Sequence, residues 1–180
     1  MRLRVIAGSL GGRFFDSPDT STTHPMSERM RGALFNSLGD ISGQSVLDPF
    51  AGSGAVSFEA ISRGAVHATL IERDKRAQAT IQHNIAMLGL QQKTQLIKAN
   101  SRSWFSTNQD KKYDLILVDP PYHDEQLSTV ELLACLLNPK GLMVLSYPGR
   151  GSAPTVNGVV VVDNKRYGDA ALAFYRVKAA

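Results

Sequence analysis

The tetrapeptide Asp119-Pro120-Pro121-Tyr122 directly follows the apolar run Leu115-Ile116-Leu117-Val118. Prolines carry no backbone N–H, so the Asp119 carboxylate and the Pro120 carbonyl can face one amine with no competing donor between them. Tyr122 adds an aromatic face that can cover the planar ring bearing such an amine. A tight turn after a core strand uses the same residue types, so the tetrapeptide alone leaves both readings open.

A second stretch adds a ligand site. Val46-Leu47 is followed by Asp48-Pro49-Phe50-Ala51-Gly52-Ser53-Gly54 and then by the helical pattern Val56, Phe58, Ile61. A loop of this kind lets backbone approach a ligand closely, and the helix after it turns its positive end toward that ligand. Glu72 ends the strand-like Ala68-Thr69-Leu70-Ile71 about 20 residues further on, the spacing at which an acid holds both ribose hydroxyls of a nucleoside. An adenosine-containing cofactor fits this pattern. A dinucleotide fits less well, because Ser57 stands where the dinucleotide fingerprint places a third small residue. Asp48 either holds the loop's backbone or orients water near the cofactor's reactive centre.

These residues need a scaffold that brings strand ends together. Residues 2–7 and 13–15 read as a hairpin across Gly11-Gly12, and 27–38 as a helix with Ser27 as N-cap and Gly39 closing it. Strands at 67–71, 94–98, 113–118 and 141–146 alternate with helices at 74–88, 102–106 and 125–137. Residues 156–162 and 170–177 close the chain as an antiparallel hairpin. The alternation predicts an α/β fold, a mostly parallel twisted sheet with helices on both faces. In such a sheet ligands lie beyond the strands' carboxyl ends, where Asp48, Glu72 and Asp119 all fall.

With 180 residues and 43% hydrophobic composition, the chain is expected to form one domain. The single cysteine, Cys135, excludes an internal disulfide; its leucine neighbours predict a buried, inert thiol. No run approaches the roughly 18 apolar residues of a membrane span, and the N-terminal apolar run is broken too early for a signal peptide; a reducing cytoplasm is the expected location. The four histidines lack metal-ligand spacing, and no metal is implied. Trp104-Phe105 reads as core packing. The net charge of +4 sits in the flanks: residues 41–146 carry ten basic and ten acidic side chains, residues 1–40 five and four, and residues 147–180 five and two. Arg13, Arg29 and Arg31 in the first flank are candidates for phosphate contact, or else a solvated face.

The chain resembles the RsmD family of S-adenosylmethionine-dependent methyltransferases, which modify the N2 amine of a guanine in small-subunit ribosomal RNA. The resemblance covers nearly the whole chain: Arg4 to Gly8, Gly12-Arg13, Pro25 with Glu28 to Arg31, Leu34 to Asn36, Asp48 to Ala55, Ile71-Glu72, Val118 to Tyr122, and Tyr167-Gly168 with Tyr175. It departs from the family pattern at His24, Met26, Ser27 and Gly32.

The resemblance implies a Rossmann-like class I methyltransferase fold over 1–180, with residues 1–40 an RNA-contacting extension and 41–180 the catalytic core. It places S-adenosyl-L-methionine on Asp48, Phe50, Ala51, Gly52, Ser53, Gly54, Glu72, Asn100, Ser101 and Asp119. Asn100-Ser101 would contact the adenine, although Asn and Ser equally suit a helix cap. Asp119, Pro120, Pro121 and Tyr122 would form the catalytic site. The implied partner is 16S ribosomal RNA or the assembling small subunit, with the target base out of its stack, and no obligate protein partner or membrane. Other classes are an amine methyltransferase for DNA adenine or protein glutamine, and a non-catalytic RNA-binding module, which would have no need of Glu72 or Asp119.

Overall fold

The structure is a computed structural model that describes residues 1–19, 25–121 and 123–179. The chain opens with strands β1 (Arg2–Arg4) and β2 (Phe14–Asp16), helix α1 (Glu28–Leu38), β3 (Ser45–Asp48) and α2 (Ala55–Ser62). There follow β4 (His67–Glu72), α3 (Lys75–Leu88), β5 (Thr94–Lys98), α4 (Ser101–Ser106) and β6 (Tyr113–Val118). Helix α5 (Leu127–Ala134) and strands β7 (Leu137–Pro148), β8 (Val159–Tyr167) and β9 (Ala170–Val177) complete it.

Seven strands form one sheet in the order β5-β4-β3-β6-β7-β9-β8. The first five are parallel, and β9 runs antiparallel between β7 and β8. This is the mostly parallel α/β sheet with a closing antiparallel hairpin that the alternation of elements predicts. The chain winds outward from β3 through β4 to β5, then returns to place β6 on the other side of β3. That reversal opens a crevice at the carboxyl ends of the central strands.

Both faces of the sheet are covered. Successive residues of the central strands go to different cores: Val46, Leu70, Leu115 and Leu117 to one, Leu47, Ile71, Ile116 and Val118 to the other. A strand buried on both faces must be apolar at every position, which is why these runs are continuous. On the first face Leu34 and Phe35 of α1, Phe58 of α2 and Ile81 of α3 pack with Val5 and Phe15 of the N-terminal segment. The Phe15 and Phe58 rings meet edge-on at 5.2 Å. On the second face lie Trp104 and Phe105 of α4 and Val130 and Leu133 of α5. Trp104-Phe105 is therefore core, as the sequence indicated.

Helix ends follow their capping residues. The Ser27 hydroxyl accepts from Met30 N at 3.1 Å, and Asp74 from Ala77 N at 2.8 Å. Gly39 and Gly89 terminate α1 and α3 at positive φ.

Several boundaries differ from the sequence expectations. The N-terminal hairpin is shorter than 2–7 with 13–15, because the Ile6 and Ala7 N–H groups leave the ladder and donate to the Glu59 carboxylate at 2.9 and 3.1 Å. The helix expected over 125–137 stops at Ala134; Leu136 O accepts from Tyr113 N at 2.8 Å and Leu137 begins β7. A short apolar run serves helix or strand equally, so its periodicity could not place that boundary. Strand β8 starts and ends later than 156–162, since the polar segment 163–167 continues pairing with β9 as a solvated edge. Cys135 is exposed rather than buried: it caps α5 at the turn between two elements, so the leucines on either side face the core while it does not.

Candidate active site

Asp48, Glu72 and Asp119, each at the end of a parallel strand, line one cavity of about 800 Å³. Its walls include the loop from Pro49 to Ser53, Asn100-Ser101, and Pro120-Pro121. Pro25, Met26, Ser27 and Met30, at the start of α1, close it from the N-terminal side.

The glycine loop has its shape because glycine holds it. Gly52 and Gly54 take φ of 57° and 84°, a region that favours glycine. A Cβ on Gly54 would stand 2.6 Å from the Phe58 ring. Glu72 secures the loop from β4: Oε2 accepts from Gly52 N at 2.7 Å, and Oε1 from Asp74 N at 2.9 Å. A carboxylate offers about four acceptor positions, so each Glu72 oxygen retains one for a hydroxyl in the cavity.

Asp48 is only 2% exposed. The Ser57 hydroxyl donates to Oδ2 at 2.7 Å. Burial pushes the Asp48 carboxyl up to about 7, the Ser57 hydrogen bond opposes that rise, and the charges of Asp119 and Glu72 add to it. Asp48 thus holds the first turn of α2 through Ser57 rather than the loop's backbone. Ser57, which breaks the dinucleotide fingerprint, is there as the donor to this acid.

Asp119 is half-buried at the end of β6. Burial raises its carboxyl to about 6, against a hydrogen bond from Ser146 that lowers it. Pro120 and Pro121 line the cavity beside it. Tyr122, the fourth member of the tetrapeptide, lies outside the described residues, as does His24.

Asn100 caps α4: its Oδ1 accepts from Arg102 N at 2.9 Å and Ser103 N at 3.3 Å. Asn100 also lines the cavity. The Ser101 hydroxyl donates to the Pro49 carbonyl and ties α4 to the glycine loop. Phe50, Ala51 and Ser53 also line the cavity, and Gly54 caps the helix behind them.

The three arginines separate. Arg13 and Arg29 are exposed, Arg13 donating to the Met87 carbonyl at 2.9 Å. Arg31 is 0% exposed and stands 3.4 Å from Glu59, itself fully buried. It cannot reach a phosphate, and it leaves the set of RNA candidates. Its spacing from Arg29 placed it on the inner face of α1, where it donates to the Arg4 carbonyl and, with Glu59, fastens the N-terminal segment to α2. Removing one member of a buried pair leaves an uncompensated charge. Glu59 stood in the sequence only as the lone acid of α2, and the cavity-lining Met26 and Met30 were not among its candidate site residues.

The family described as Conserved hypothetical protein 95 matches residues 3–176. Ribosomal RNA small subunit methyltransferase D of Buchnera aphidicola subsp. Acyrthosiphon pisum is 35% identical over 134 residues, covering 73% of this chain and 70% of that protein. The protein of the same name from Escherichia coli strain K12 is 36% identical over 134 residues, covering 73% and 67%. The chain belongs to the RsmD family. A solved structure of the Escherichia coli yhhF protein superposes with a TM-score of 0.88 at 31% identity, over 100% of both chains. Membership in the RsmD family makes this an S-adenosylmethionine-dependent methyltransferase.

Proposed function

We propose that the chain methylates the N2 amine of a guanine in 16S ribosomal RNA, binding the cofactor on the Glu72 side of the cavity and the amine at Asp119. The observation that carries this reading is the convergence of Glu72 and Asp119 in one cavity beside the Gly52 to Gly54 loop. It is supported by the small-subunit ribosomal RNA named for the RsmD relatives. Residues 41–180 hold the cofactor and the chemistry. Residues 1–40 share their core with α2 and α3 and carry the exposed Arg13 and Arg29 toward RNA. The expected place of work is the cytoplasm, where the RNA is made and assembled; no helix among the described residues is long and apolar enough to cross a membrane.

The cavity residues fit S-adenosylmethionine. Glu72 keeps acceptor positions for a ribose diol, Asn100 keeps its NH2 for an adenine ring nitrogen, and the carboxylates of Glu72 and Asp119 give a negative edge suited to a cation. Bound there, S-adenosylmethionine supplies a methyl group activated by a sulfonium. The N2 amine is a weak nucleophile because its lone pair is delocalised into the ring. Asp119 and the Pro120 carbonyl accept hydrogen bonds from that amine, draw it toward a tetrahedral shape and localise the lone pair. As the N–C bond forms and the C–S bond breaks, positive charge develops on nitrogen, and the Asp119 carboxylate stabilises it. The surplus proton then leaves the nitrogen for the Asp119 carboxylate, whose raised pKa suits it to accept and release a proton near neutrality. Alignment of amine and methyl by the cavity walls contributes the rest.

Transfer should fall as pH drops through about 6, where Asp119 protonates. The sign for folding is opposite. Asp48 and Asp119 have raised folded values, so their contribution to stability is lost as pH rises through about 7 and 6, and recovered toward the ordinary 3.8. Lost activity at pH 5.5 in a protein whose melting temperature has not fallen is the expected result. A rate that is flat from pH 5 to 8 in single-turnover assays contradicts the role given to Asp119.

Replacing Arg13 and Arg29 together by Ala should weaken RNA binding and flatten its salt dependence, by about one in log–log slope for each phosphate that is no longer neutralised. Cofactor affinity should not change. An unaltered slope in filter-binding titrations assigns both arginines to solvated surface.

A further inference from the structure

We infer that Ser146 is the positioning residue for Asp119, holding its carboxylate ionised and turned toward the amine. The inference rests on the catalytic reading of Asp119 and adds a partner that neither the sequence motifs nor the family resemblance marks.

Behind Asp119 lies a small pocket closed by Met26, Leu34, Val56, Leu117, Val144 and Leu172, and Ser146 supplies the one hydroxyl among its described lining residues. Ser146 is 2% exposed. It follows Leu145, which pairs with Val118, so the parallel register of β6 and β7 sets Ser146 beside Asp119. On its other side it pairs with Leu172 of β9, and the backbone carrying it is held in the middle of the sheet. Its hydroxyl donates to the Asp119 carboxylate and opposes the rise that burial causes.

A carboxylate against an apolar wall tends to protonate, and it turns toward whatever donor it finds. A donor placed behind it has two effects. It satisfies one oxygen from the rear, leaving the other for the amine in the cavity. It also favours the charged form, which the developing cation requires. The other titratable groups that line the cavity with Asp119 are Asp48 from β3, Glu72 from β4, Arg73 and Asp74 in the turn after β4, and His123 from the segment before α5. Burial is what favours the neutral form of Asp119, and the Ser146 hydrogen bond works in the opposite direction.

The test is the pH profile of single-turnover transfer to 16S RNA in Ser146→Ala, Ser146→Thr and the parent, each with cofactor affinity measured in parallel. The acid limb should move up by about one pH unit in Ser146→Ala, since a hydrogen bond to the charged form is lost. Transfer at pH 6.5 should fall about threefold, approaching tenfold near pH 5, and at pH 8.5 most of it should return. Ser146→Thr, which keeps the hydroxyl, should restore the parent's limb, and cofactor affinity should be the same in all three. Repeating the profiles in an Asp48→Asn background removes any limb belonging to Asp48. An unmoved limb in Ser146→Ala overturns the inference, as does a loss equal at every pH or a failure of Thr to rescue. If the parent itself shows no acid limb, or Asp119→Ala transfers at the parent's rate, the catalytic reading of Asp119 fails instead.

Discussion

Asp119→Ala is expected to keep the fold and the affinity for S-adenosylmethionine while slowing methyl transfer by about 10²–10³-fold, the usual cost of one preorganised electrostatic partner. The reason is where charge appears. Before transfer the amine is neutral and only the Asp119 side of their hydrogen bond carries charge; as the new bond forms, the nitrogen becomes cationic and the same contact becomes an ion pair. It is therefore much stronger in the transition state than in the bound substrate, which is the condition for an effect on rate rather than on affinity. Asp119→Asn refines the test. It keeps an acceptor oxygen but loses the charge and brings an NH2 that can face the amine or Ser146 wrongly, so its rate should fall between those of the parent and Ala. Single-turnover methylation measures both variants. A parent-like rate in Asp119→Ala reduces the tetrapeptide to a turn.

Glu72→Ala is expected to weaken S-adenosylmethionine binding by roughly tenfold or more, because charge-assisted hydrogen bonds contribute about 1.5–3 kcal/mol each. Two separate losses combine. The ribose hydroxyls lose their acceptors, and the Gly52 and Asp74 N–H groups lose theirs, which loosens the glycine loop. Glu72→Gln separates them in part: its carbonyl oxygen can still hold Gly52, while its NH2 cannot accept from a hydroxyl. Calorimetry should place Gln between the parent and Ala. Unchanged affinity in a folded Glu72→Ala protein would remove Glu72 from the cofactor site.

The sheet and the acids at its edge were legible in the sequence because they obey local rules. Continuous apolar runs marked strands buried on both faces, and Ser27, Gly39 and Gly89 marked helix ends by their own conformational preferences. Asp119 followed from its tetrapeptide, Glu72 from its spacing after the glycine loop, and their convergence with Asp48 from the strand ends on which all three stand. What the sequence hid depends on pairing across the fold. Arg31 looks like its neighbour Arg29 until Glu59, 28 positions away, draws it inward. The hairpin's early end depends on the same carboxylate taking two backbone donors. Ser146 is one serine in an apolar strand, and only the register of β6 and β7 sets it behind Asp119. Cys135 shows the same limit in reverse, since leucine neighbours do not bury a residue that stands at a helix end.

The measurement that bears most directly on the account is methyl transfer by the purified protein from S-adenosylmethionine to 16S RNA and to assembled small subunits, followed by nucleoside mass spectrometry. The account predicts N2-methylguanosine as the product, formed by the parent and lost in Asp119→Ala. Methylated adenosine, or no methyl transfer to either substrate, would contradict it.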